Sequence, residues 1–218
     1  MDLAEKLGVK KIVMMSGLPG GCPEDKTPNW ITSTVSWPAY MPDVIDYQWN
    51  QVAIPWWKSF TDYAQQHGIE KIAIEEFPSQ LVYNPSTLLR LRDAVGDMIG
   101  MNLDPSHLLV MGADPIAAAR KLEGVIYHVH GKYARIERGL ADVDGLLEYK
   151  PVTDTKNRTW NYVAVGCGQD LQWWKEFFSM LRMTGYDGDV SLEMEDLTMS
   201  VEAGLRTSID ALNASISR

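Results

Sequence analysis

Cysteine is scarce in this chain. Cys22 and Cys167 are the only two in 218 residues, and they form neither a CxxC pair nor a zinc-type spacing. A disulfide scaffold and a thiolate metal cluster are therefore excluded, and two isolated thiols fit a reducing compartment. Histidine is also sparse, at four. No apolar run is long enough to span a bilayer. The first residues, Met-Asp-Leu-Ala-Glu-Lys, lack the apolar core of a signal peptide. Basic charge falls short: 20 Lys and Arg face 29 Asp and Glu, a net charge of −9. Such a surface repels phosphate backbones and anionic lipid, so neither nucleic acid nor membrane is expected as a partner. We read a soluble, cytoplasmic protein.

Hydrophobic residues make up 45% of the chain, enough for one sizeable core. They gather in five short, partly β-branched runs: Lys11–Met15, Lys71–Ile74, Met98–Leu103, Val125–His130 and Asp189–Glu193. Helical patterns lie between or after them. Tyr47–His67 stops at Gly68, and Pro85–Val95 follows Asn84. Asp114–Leu122 stops before Gly124, Leu171–Thr184 stops at Gly185, and Ser200–Ile216 comes last. Strands alternating with helices predict an α/β fold with a parallel sheet. Two long connections, 17–46 and 131–170, follow strands. They fall at the C-terminal strand ends, the face where α/β barrels build active sites.

Acids and histidines recur at those same ends. Glu75 ends KIAI, and Asp104 ends IGMNL within the stretch NLDPSH. His128 and His130 end VIYHVH, two apart and so on one side of the strand. Glu193 ends DVSL. Two Glu, one Asp and one His form a hard-to-borderline ligand set, suited to Mn²⁺, Mg²⁺ or Co²⁺. Crowded carboxylates repel one another unless a cation neutralises them. A metal there would grip adjacent sugar oxygens and polarise a carbonyl. The two glutamates would then move protons through an enediolate.

The remaining candidates divide between packing and binding. Trp56-Trp57 and Trp173-Trp174 sit on helical patterns and read as core. Trp30, Trp37 and Trp160 lie in the long connections, where they stack on a sugar or anchor the loops. Lys132 and Arg158 read either as binders of a phosphate or carboxylate or as surface charge. His67 reads as a helix-end side chain.

The segments IAIEEFPSQLVYNPST (72–87), IGMNLDPSHL (99–108), IYHVHGK (126–132), RTWNYVAVGCG (158–168) and GYDGDVSLEMED (185–196) resemble the sugar phosphate isomerase/epimerase family. That family's fold is the xylose isomerase-like (β/α)8 TIM barrel. The resemblance covers nearly the whole chain. It implies one divalent metal, Mn²⁺ before Mg²⁺ or Co²⁺, held by Glu75, Asp104, His130 and Glu193. Glu75 and Glu193 double as the acid/base pair, and His107 and His128 touch substrate hydroxyls. The implied substrate is a small sugar or sugar phosphate, and Lys132, Arg158 and Trp30 are further candidate contacts. The implied reaction is isomerisation or epimerisation. Loss of water from a keto-inositol, as in a dehydratase, uses the same site. An endonuclease-like hydrolase needs more histidines and binds DNA. Two departures stand out. Relatives read Glu-x-His-Pro where this chain has Glu75-Glu76-Phe77-Pro78, and His-x-Lys-Asp where it has His130-Gly131-Lys132-Tyr133. Both leave the implied ligands in place and change their neighbours, which bears on substrate preference. By this alignment 1–218 is a single TIM-barrel-type domain truncated at its N-terminus. It holds about five βα units, equivalent to strands 4–8 of a barrel that needs eight. A truncated chain, a barrel-completing partner, a homo-oligomer or an inactive subunit would each account for that count.

Overall fold

A computed structural model describes residues 1–32 and 41–216. Trp37, one of the loop aromatics, lies outside the described residues. By backbone contacts the chain divides into two compact units, Met1–Met101 and Asn102–Arg218.

The first unit begins with α1 (Asp2–Lys6) and β1 (Lys11–Met15), followed by α2 (Met41–Asp46). A π-helical segment, Tyr47–Ala53, then leads into α3 (Ile54–Gln66). The pattern 47–67 had predicted one regular helix. Its first two turns are instead wide-wound, directly before Pro55 at the start of α3. Proline has no N–H to donate backward, and a π turn is one way to accommodate that loss. The predicted stop holds, with Gly68 at φ +76°.

Next come β2 (Lys71–Glu75), α4 (Pro85–Val95) and β3 (Ile99–Leu103), the last crossing into the second unit. The hydrogen-bonded order in the first unit is β1-β2-β3, and β1 runs parallel to β2 with Lys11 opposite Lys71 and Met15 opposite Glu75. α4 starts where Asn84 predicts. Asn84 Oδ1 accepts from Thr87 N at 2.9 Å, and Thr87 Oγ1 accepts from Asn84 N at 3.1 Å. This reciprocal cap stabilises the helix end by about 1 kcal/mol. Trp57 is 1% exposed, donates its indole N–H to Ser16 O at 3.2 Å, and so ties α3 to the C-terminal end of β1. Ile72, Ile74, Leu88 and Leu91 are equally buried.

The second unit contains α5 (Pro105–Val110), α6 (Pro115–Lys121), β4 (Ile126–Gly131), β5 (Tyr133–Ile136), α7 (Arg138–Asp144), β6 (Trp160–Val163), α8 (Leu171–Met183), β7 (Val190–Leu192) and α9 (Val201–Ser215). Its hydrogen-bonded order is β3-β4-β7, with β4 parallel to β7. β5 and β6 form a separate antiparallel pair with Tyr133 opposite Val163. Both strands lie inside the stretch 131–170, which sequence reasoning took for an irregular connection. α8 buries Trp174, Phe177, Phe178 and Leu181. Those positions recur at helical spacing, and each fully buried large side chain contributes about 1.5–3 kcal/mol. The core reading therefore holds for Trp57 and Trp174, whereas Trp56 is 50% exposed and Trp173 only partly buried, because each lies on the outer side of its helix.

Candidate functional site

Asp104 is the first residue after β3 and is fully buried. The stretch NLDPSH is a strand-to-helix junction. Asp104 caps α5, and Pro105 takes the first helical position. Asp104 Oδ1 accepts from Ser106 N at 2.8 Å and from Ser106 Oγ at 2.6 Å. These bonds fix the carboxyl plane and leave Oδ2 facing two imidazoles. His107 Nε2 lies 3.4 Å away and His130 Nδ1 3.6 Å away. Burial by itself would raise the pKa of Asp104. The positive field of His107, the His130 contact and the Lys132 ammonium outweigh it and hold the carboxyl below its usual range.

His130 lies in β4 and His128 two residues before it, with ring centroids 5.7 Å apart. They meet different partners. His128 Nε2 contacts Ser191 Oγ at 2.8 Å. His130 Nδ1 faces Asp104, and also Glu193 Oε2 at 3.6 Å. The side-chain amide of Asn102 stands 3.2 Å from His130 Nε2. Glu193 follows β7, and its backbone N–H donates to Gly131 O at 3.3 Å, which seats it beside β4. One ligand-capable atom from each of Asp104, His130 and Glu193 lies within 4.8 Å of the others. Two carboxylates and an imidazole at that spacing are a possible divalent-metal site. Glu75 closes β2 in the first unit and is buried.

Lys132 is 3% exposed. Its ammonium donates to Glu193 Oε2 at 2.7 Å, stands 3.1 Å from Glu195 Oε2, and lies 4.5 Å from the centroid of the Tyr162 ring. Burial alone would lower its pKa, but Asp104, Glu193 and Glu195 together push it well above the usual lysine range. The Tyr162 hydroxyl contacts His107 Nδ1 at 3.2 Å. Burial raises this phenol's pKa, so the hydroxyl stays protonated.

Arg158 and Trp160 belong to a different arrangement. The Arg158 guanidinium donates to Lys150 O and Trp160 O and covers the Trp160 ring at 4.4 Å. The Trp160 indole donates to Leu146 O at 3.1 Å. Glu148 accepts from the N–H groups of Tyr149, Lys150 and Thr159 at 2.8–2.9 Å. This set pins residues 146–160 together. In the first unit Trp30 meets Tyr83 edge-on at 5.6 Å.

Sequence reasoning missed Asn102, Ser106, Tyr162, Ser191 and Glu195. A signal existed for two of them. Asn102 and Glu195 stand two residues from Asp104 and Glu193, the spacing that puts side chains on one side of an extended chain. Tyr162 required recognition of β6, and nothing nearby marked Ser191.

Xylose isomerase-like TIM barrel proteins match residues 1–215. The chain belongs to this family. Its fold is the xylose isomerase-like barrel in incomplete form, with five strands in the main sheet among the described residues. The chain is 67% identical over all 218 residues to the uncharacterized protein YfiH of Bacillus subtilis (strain 168), of which it covers 70%. Among solved structures it resembles the probable 3-DHS dehydratase AsbF of Bacillus anthracis, at TM-score 0.64 and 21% identity over 97% of this chain and 66% of that one. It resembles D-psicose 3-epimerase of Clostridium cellulolyticum H10, at TM-score 0.57 and 16% identity over 97% and 65%. A xylose isomerase-like protein of Mycobacterium smegmatis, solved with magnesium, gives TM-score 0.58 and 18% identity over 98% and 63%. The chain thus spans less than two thirds of each of these solved proteins. Among the described residues of this family member, no helix is long and apolar enough to cross a membrane.

Proposed function

We propose that the protein is a divalent-metal-dependent sugar isomerase or epimerase. Asp104, His130, Glu193 and Glu75 would hold the ion, with Mn²⁺ favoured over Mg²⁺ or Co²⁺. The carrying observation is the convergence of Asp104, His130 and Glu193 on one small volume in the second unit. The donor set fits the ion. It offers anionic oxygens and one imidazole and no thiolate, and Asp104 remains ionised although fully buried. Glu75 is assigned as the fourth ligand because it closes β2, the strand next to β3 in the sheet order, and Asp104 directly follows β3. Bound there, the ion would polarise a substrate carbonyl and steady the enediolate.

The chain's own residues supply the rest. Glu193, 38% exposed at its side chain, is open to exchange a proton with a substrate carbon, and Glu75 serves as its counterpart. Lys132 orients Glu193 through their 2.7 Å contact. His107, oriented by Tyr162, and His128, held by Ser191, are the proposed contacts to substrate hydroxyls. Arg158, Lys132 and Trp30 remain proposed substrate contacts, and the small-sugar substrate class follows from the family's reactions.

Dehydration of a keto-sugar is the second reading. It begins with the same proton abstraction, and the resemblance to the Bacillus anthracis dehydratase supports it. The test is incubation of the metal-loaded protein with a panel of keto-sugars and keto-inositols in D2O, read by NMR. Exchange of a carbon-bound proton, lost in Glu193→Gln and Glu75→Gln, is expected. Loss of water would select the dehydratase. A folded protein that binds no Mn²⁺, Mg²⁺ or Co²⁺ and exchanges no proton would refute both.

A further inference from the structure

The second unit holds a cavity of about 410 Å³ that neither the proposed metal ligands nor Lys132 lines. Small-molecule sites usually measure about 300–1,000 Å³ and are mostly apolar. This one has the size and the opposite chemistry. Its lining carries Arg135, Arg138 and Lys156 against one acid, Glu137. In a chain with 20 cationic and 29 anionic side chains, that is a local reversal of charge. A cleft of one sign concentrates small ions of the other.

The β5–β6 ribbon builds one wall. Arg135 lies opposite Asn161 in the antiparallel register, so both stand on one face of the ribbon. Tyr162, which contacts His107, lies opposite Ala134 and so on the other face. The wall is held in place by its own bonds. Glu137 Oε1 accepts from Arg135 Nε at 3.1 Å, Arg135 Nη2 at 2.7 Å and Asn161 Nδ2 at 3.0 Å. Burial would raise the pKa of Glu137, but the Arg135 and Asn161 contacts outweigh it and hold the carboxyl below its usual range. Its charge is therefore committed to orienting Arg135. Asn161, 4% exposed, also donates to Thr155 O at 2.8 Å, which fixes the segment that bears Thr155 and Lys156. Donors remain unspent. Among the described residues Arg135 Nη1 and the Lys156 ammonium make no hydrogen bond, and Arg138 gives only Nη1, to Asp142 Oδ1 at 3.3 Å.

We propose that this cavity binds a phosphate group, either free or carried by a small molecule. Two guanidinium forks and one ammonium match its three terminal oxygens and its charge of about −1.5 to −2. A carboxylate brings two oxygens and a single charge, and would leave part of the cationic lining unanswered. The site stands apart from the proposed metal chemistry, because the residues that form it face away from Tyr162 across the ribbon.

The experiment titrates the ¹⁵N-labelled full chain, supplemented with Mg²⁺, with inorganic phosphate, fructose 6-phosphate and fructose. Arginine Nε–H and backbone signals are followed by NMR. Saturable shifts over 135–139 and 155–161 are expected with both phosphates and not with fructose, and they should weaken as salt rises. Tighter binding of fructose 6-phosphate identifies an ester as the ligand, and equal or weaker binding identifies the free ion. Arg138→Gln and Lys156→Gln replace exposed side chains, so circular dichroism should match the parent while each weakens binding at least about fivefold. Lys175→Gln, an exposed cation of α8, is the control and should leave the affinity unchanged. Glu193→Gln should also bind phosphate as the parent does, which separates this site from the proposed metal centre. Absence of saturable shifts with both phosphates would overturn the proposal. So would binding that both cavity variants leave unchanged, whether or not Glu193→Gln removes it, or equal affinity for fructose and fructose 6-phosphate.

Discussion

Glu148→Gln tests whether residues 146–160 are held by one buried charge. The side chain is 1% exposed and accepts five hydrogen bonds. Three come from backbone N–H groups, of Tyr149, Lys150 and Thr159, and two from the Lys150 ammonium, at 3.2 and 3.3 Å. Burial alone would raise the carboxyl's pKa. The N–H groups of Lys150 and Thr159 and the Lys150 charge outweigh it and pull it down to about 2. Relative to an unfolded glutamate, at about 4.3, that shift corresponds to about 3 kcal/mol, or about 2 kcal/mol after allowance for solvent screening. The sign follows from the depressed folded value. The stabilisation is complete above the unfolded pKa and is lost as pH falls from about 4.3 towards 2, with roughly half gone by pH 3. Glutamine keeps one acceptor but turns an NH2 towards donors that need acceptors. Urea denaturation of parent and variant should therefore differ by about 2 kcal/mol at pH 7 and by about half that at pH 3. Hydrogen exchange at pH 7 should quicken over 146–160, where Arg158 and Trp160 reside, and not over α8. A gap independent of pH, or faster exchange everywhere except 146–160, would refute the assignment of the charge as the organising element.

Asp104→Asn retains a capping oxygen for Ser106 N but removes a buried charge stabilised by His107, His130 and Lys132, so urea titration at pH 7 should show the variant less stable than the parent. The same change should weaken Mn²⁺ binding by at least about 100-fold in equilibrium dialysis, since it removes a proposed anionic ligand rather than a supporting group. Gly168→Ala would drive a methyl into the Tyr133 ring, which is 4% exposed and walled by Trp173 and Trp174. Overpacking of that kind should lower stability by about 1–3 kcal/mol in urea titration. Asn84→Ala removes one half of the α4 capping box, and a loss of about 1 kcal/mol is expected in the same assay.

Much of this fold was legible because its signals are local. The five apolar runs became β1, β2, β3, β4 and β7 with boundaries within about one residue. Helix starts at Asn84 and Asp114 followed from a capping side chain before a proline. The failures share one physical origin. β5 and β6, YARI and WNYV, are four residues each and owe their stability to pairing across 23 intervening residues, which no window of sequence reveals. The candidate site divides along the same line. Asp104, His130 and Glu193 could be proposed because each ends or follows a strand, and strand ends converge by topology. Their supports could not. Ser191 reaches His128 and Tyr162 reaches His107 only after separate strands have packed. Lys132 shows what that difference means for chemistry. From sequence it was a free cation awaiting a phosphate or a surface charge awaiting nothing. In the fold it is buried between Glu193 and Glu195, so an incoming anion would have to displace a carboxylate already in place. Its first role is therefore to set the position and charge of Glu193, and any contact with substrate works through that pair.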